Sequence, residues 1–177
     1  LGFVMAHPEM CRSIVVASAG AGSDPGNRER LVASWEALSA AMVAEGMEKF
    51  ADGYARGAER LQFLRKDPVG WAKFHAGLAG HSAQGSSFTF RGVQMNRPTI
   101  YQLQDKLQQI KVPTLVMIGD EDTPCVDPAV FMKRNIPSCG LAVFPQSGHT
   151  INLEEPDLYN RTMSDFLTAV EVGKWAG

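Results

Sequence analysis

The chain has 177 residues, 45% of them hydrophobic, and 17 Lys+Arg against 19 Asp+Glu give a formal net charge of -2. That is ordinary composition for one globular domain with a sizeable core. No basic run is present to track a phosphate backbone, and no stretch approaches the ~20 apolar residues of a bilayer span, so neither nucleic acid nor membrane is an expected partner.

The first residues, LGFVMAHPEM, are apolar and carry no cap, no initiator Met and no basic flank of a secretion signal. The expectation is a chain that begins inside a longer protein, with the cytoplasm as its compartment. Ser13 to Ala19 (SIVVASA) is a β-branched apolar run emptying into the Gly-rich AGAGSDPG, which predicts a buried parallel strand. From Arg28 the period changes: Leu31, Trp35, Leu38 and Met42 recur at helical spacing, Met47, Phe50 and Tyr54 repeat it, and Trp71, Phe74 and Leu78 mark a further helix. Residues 28–97 thus read as an all-helical insertion in a core formed by 1–27 and 98–177. The Met and aromatic stripe is chiefly core by its spacing, with Trp35 and Phe50 as candidate substrate-binding residues.

Pro98 is placed to open a helix carrying Ile100, Leu103, Leu107 and Ile110, which Pro113 ends. Thr114 to Ile118 (TLVMI) predicts a strand running into the polar loop GDEDTPCVDP, followed by a short helix near Ala129 to Arg134. Leu141 to Phe144 (LAVF) predicts another strand, ending in PQSGHT. A final helix starts near Pro156, with Glu154 and Glu155 at the positive end of its dipole and Leu158, Tyr159, Met163, Phe166 and Val170 on its buried face.

Strand, helix, strand, helix is the rhythm of a parallel α/β sheet with right-handed crossovers, whose ligands bind beyond the carboxyl ends of the strands. Asp122 lies four residues past Ile118 and His149 five past Phe144, so a carboxylate and an imidazole fall on adjacent loops at that edge. Such a pair fixes the imidazole tautomer and lets it take a proton from a nucleophile. The cysteines and the other histidines read differently. Cys125 sits in the acid loop with no base arranged for it, and Cys11, Cys125 and Cys139, odd in number and unrelated in spacing, are expected as free thiols. His7, His75 and His81 are expected to be structural or exposed.

Three segments carry a family resemblance. KVPTLVMIGDEDTPCVDP resembles the penultimate strand and G-x-x-D acid loop of the α/β-hydrolases, FPQSGHTINLEEP their histidine loop and last helix, and MAHPEMCRSIVVASAG the segment after the nucleophile-bearing helix. The resemblance implies the C-terminal part of that fold with a helical cap. It makes Asp122 rather than Asp120 the catalytic acid and His149 the catalytic base. It also implies a G-x-S-x-G elbow, which the chain lacks, so the nucleophile is expected upstream of Leu1. Gly80 to Gly85 (GHSAQG) imitates an elbow, but Ser82 follows a helical stretch and Gln84 stands where the second glycine belongs. The implied activity is hydrolysis of a small, partly apolar ester by serine, histidine and aspartate, with no cofactor or metal. The alternatives are an Asp-nucleophile dehalogenase or epoxide hydrolase, and a non-catalytic binding protein on the same fold. The first strand, cut off from its neighbour, is expected to drive self-association or association with an upstream part.

Overall fold

The computed structural model describes residues 1–175. A short helix α1 (Gly2–Ala6) leads into β1 (Ile14–Ala17). A helical block follows: α2 (Arg28–Glu45), α3 (Met47–Ala55), α4 (Leu61–Lys66), α5 (Pro68–Ala79) and α6 (Ala83–Thr89). The chain then returns through α7 (Gln104–Leu107) to β2 (Thr114–Gly119), α8 (Thr123–Asn135), β3 (Cys139–Phe144), α9 (Ile151–Glu154) and α10 (Pro156–Glu171). None of these helices is long and apolar enough to cross a membrane.

The three strands form one parallel sheet in the order β1-β2-β3, with Val16 beside Val116 and Val116 beside Leu141. β2 is buried along its whole length, which is why Leu115 to Ile118 read as a continuous hydrophobic run rather than as an alternating pattern. Its side chains divide by the two-residue period of a strand. Val116 and Ile118 join Leu107, Ile110, Ala129, Met132 and Ile136 on one face. Leu115 and Met117 join Phe144, Ile151 and Phe166 on the other. Helices therefore cover both faces, and all three strand ends point the same way.

Two elements differ from the sequence-based expectation. The helix expected from Pro98 is a single 3-10 turn, Tyr101–Leu103, followed by α7. Thr99 and Gln102 explain its start: the Gln102 N–H donates to Thr99 Oγ1 at 3.2 Å and the Thr99 N–H donates to Gln102 Oε1 at 2.9 Å, a capping box that sets the first turn after the proline, not at it. The helix expected near Ala129 begins at Thr123, directly after Asp122. The polar run DTPCVDP hid it, because Pro124 belongs in a first turn and pre-sets the helical φ there.

Candidate active site

Asp122 is the residue before α8, four positions beyond Ile118, and its side chain is 1% exposed. His149 stands in the loop between β3 and α9 with its side chain 29% exposed. The two meet: His149 Nδ1 and Asp122 Oδ2 are 2.8 Å apart. A buried carboxylate behind a partly open imidazole fixes the ring through Nδ1 and leaves Nε2 to face a substrate. Among the described residues no hydroxyl or thiol is hydrogen-bonded to that Nε2.

The pairing depends on how closely the histidine loop passes its neighbours. Gly119 ends β2 where the carbonyls of Ser147 and Gly148 cross it, and Gly148 lies against the Glu59 carbonyl; a Cβ at either position would collide with backbone. Asp120 supports the crossing, since its Oδ1 accepts the Ser147 N–H at 3.1 Å while its own N–H donates to Phe144 O. Asp120 thus holds the loop and is not the partner of His149. Glu154, expected at a helix dipole, instead turns back into the loop: buried, it accepts the Gly148 N–H at 2.7 Å and the Thr150 N–H and hydroxyl at 3.0 and 2.9 Å.

The helical block grips both strand-end loops. The His149 N–H donates to Glu59 O at 2.8 Å, Gln62 donates to both Glu121 carboxylate oxygens, and Lys66 donates to Ser147 Oγ and pairs with Glu155 at 2.6 Å. Between block and sheet lies a cavity of about 400 Å³ that contains Asp122 and His149. Its apolar wall is Leu31, Trp35, Leu38 and Phe90; Ser18, Tyr54, Glu59, Arg60, Gln94 and Arg97 supply the polar part. Among the described residues four buried side-chain atoms lack a hydrogen-bond partner, Ser18 Oγ, Arg60 Nε, Gln94 Oε1 and Asp122 Oδ1, and all four belong to residues of this lining. Unsatisfied buried polar groups are rare and need a reason, and their concentration here marks a site built for polar contacts. A larger hollow of about 870 Å³ runs along α1 and β1, but it includes neither Asp122 nor His149.

Trp35 lies in the cavity wall. Phe50 does not; it packs behind the wall, stacked on Tyr54 with ring centroids 5.2 Å apart and edge-on to Phe90 at 6.2 Å. Ser82 caps α6, accepting the Gly85 N–H at 3.1 Å, which accounts for the glycine-serine pattern without an elbow. His75 pairs with Asp52 at 2.9 Å, remote from the cavity lining, and His7 stands near Glu9 at 3.8 Å. Sequence reasoning missed Ser18, Arg60 and Arg97. Ser18 shares two traits with an elbow serine, the carboxyl end of a parallel strand and a positive φ of 46°, yet a Gly-rich loop rather than a helix follows it.

The cysteines are free thiols. Sγ of Cys125 and ligand atoms of Asp122 and His149 lie within 4.8 Å of one another, a spacing that invites a metal reading. Within the set, His149 Nδ1 and Asp122 Oδ2 are already paired with each other, and burial and then the charge of Asp122 push the Cys125 thiol well above its ordinary range.

No family model matches the chain. A search of curated proteins finds 24% identity over 184 residues, 95% of this chain and 61% of the relative, with a putative 2-succinyl-6-hydroxy-2,4-cyclohexadiene-1-carboxylate synthase of Bacillus subtilis. Among solved structures, MenH from S. aureus superposes with a TM-score of 0.82 at 20% identity, covering 90% of this chain and 60% of that one. The enol-lactonase from Burkholderia xenovorans LB400 gives 0.77 at 19%, covering 94% and 60%. The chain spans about 60% of the length of each.

Proposed function

We propose that this chain, which has the fold of the C-terminal part of the α/β-hydrolases, supplies the acid and the base of a hydrolase that cleaves a small carboxylic ester. The observation that carries the reading is the 2.8 Å contact between His149 Nδ1 and Asp122 Oδ2 at the floor of a cavity where Nε2 has no competing partner among the described residues. His149 takes the proton of an attacking serine hydroxyl through Nε2 and returns it to the leaving alkoxide, while Asp122 holds the tautomer and stabilises the imidazolium. The serine and its oxyanion donors belong to a segment outside these 177 residues. Residues 28–97 form the wall that selects the substrate.

The test is ester hydrolysis by the complete protein and by the 177-residue chain, each with His149→Ala and Ser18→Ala forms. The complete protein is expected to hydrolyse an activated aryl ester, to lose the activity with His149→Ala and to retain it with Ser18→Ala; the chain alone is expected to be inactive. Activity in the chain that Ser18→Ala abolishes would place the nucleophile at the end of β1 instead. An aspartate at the upstream elbow would turn the reading to a dehalogenase or epoxide hydrolase, and neither residue there would leave a binding protein.

A further inference from the structure

Two guanidinium groups, Arg60 and Arg97, line the cavity and a third, Arg28, lies over its Trp35 wall; none of the three has a carboxylate within 4.0 Å among the described residues. Arg60 is the most buried, at 7% exposed; its planar group lies 3.8 Å over the Tyr54 ring, Nη2 donates to the Tyr54 hydroxyl and Nε has no partner. Arg97 donates to Ala21 O at 2.9 Å, and Arg28 to Met95 O at 2.9 Å and Arg97 O at 3.0 Å while lying over the Trp35 ring. Backbone carbonyls and a phenol satisfy donors but do not neutralise charge. Arg97 is solvent-exposed, and partial burial together with the Arg28 charge lowers its pKa.

The acids of the lining do not offset this. Asp122 is committed to His149, which leaves Glu59 alone opposite Arg60 and Arg97. A buried guanidinium with a free N–H is matched best by a carboxylate, whose two oxygens accept two donors at once. Arg60 follows Glu59 directly, and Glu59 O holds the His149 N–H, so the cation is fixed relative to the base through one backbone segment.

We propose that the cavity takes an ester that carries a free carboxylate, bound by Arg60 and Arg97, with its apolar portion against Trp35 and Leu31. The nature of the bond cleaved rests on the hydrolase reading above; the anion subsite does not. The experiment compares 4-nitrophenyl hydrogen succinate with the neutral 4-nitrophenyl butyrate on the complete protein, and titrates succinate calorimetrically. We expect kcat/KM to favour the hemisuccinate at least about tenfold, the ratio to fall about tenfold in Arg60→Gln and in Arg97→Gln, and Arg60→Lys to recover part of it. The ratio within one variant cancels any loss of folded protein. A ratio near one in the parent, or one that both glutamine variants leave unchanged, overturns the proposal. If neither ester is hydrolysed while succinate binds and Arg60→Gln weakens it, the subsite stands and the hydrolase reading fails.

Discussion

The strand-end loops and the helical block meet at one cavity, yet they are held in different ways. Asp122 and His149 hang from β2 and β3, whose side chains pack into two clusters that cover both faces of the sheet. The block has a small core of its own, Ala55, Phe63 and Trp71, and leaves Leu38 40% exposed toward the cavity. Its hold on the two strand-end loops runs instead through hydrogen bonds: Glu59 O accepts the His149 N–H, Gln62 donates to Glu121 and Lys66 donates to Ser147. The difference teaches that the Asp122–His149 pair is placed by the sheet, which is packed on both faces, while the cavity wall comes from helices whose facing side chains can change without unpacking the sheet.

The largest effect that could break this comparison is at Asp122. Asp122→Asn in the complete protein is expected to lower kcat by roughly 10⁴, because an amide stabilises the wrong histidine tautomer. Asp120→Asn, which only weakens the contact to the Ser147 N–H, should retain most of the activity. Steady-state kinetics of the two, with circular dichroism to confirm the fold, decides it; equal losses would mean that the roles of the two carboxylates are wrongly divided.

The seam between the regions is tested next. Gly148→Ala forces a methyl group against the Glu59 carbonyl, so it is expected to destabilise the protein by about 1–3 kcal/mol, the usual range for overpacking. Thermal denaturation reads this directly, and an unchanged Tm would show that the block is not pressed against the histidine loop. The smallest effect separates wall from backing. Trp35→Ala should alter relative kcat/KM across ester chain lengths by about tenfold, whereas Phe50→Ala should lower stability and leave the order of preference as it was. A specificity change at Phe50 equal to that at Trp35 would erase the distinction.

The sequence by itself determined the parallel sheet and the meeting of Asp122 with His149 at its edge. A short apolar run such as TLVMI between Pro113 and Gly119 suits a strand buried on both faces, and polar loops after parallel strands open at the same edge, so the meeting of Asp122 and His149 was legible from their distance past Ile118 and Phe144. Local rules failed where two principles competed: the polar residues before Cys125 read as loop although Pro124 starts a helix there, and Glu154 read as a dipole partner although the histidine loop offers it three donors. Only the tertiary structure decided which helical residues face the cavity. Trp35 and Phe50 carry the same kind of periodic signal, and nothing in a 3.6-residue period states which neighbour a face will meet. Arg60 was beyond reach for the same reason: an arginine in a charged segment reads as a solvated side chain until the chain folds it onto Tyr54 and beside His149. Spacing along one chain fixes what lies on a strand or a face, whereas burial and unpaired charge arise from segments far apart in sequence, and only packing brings those together.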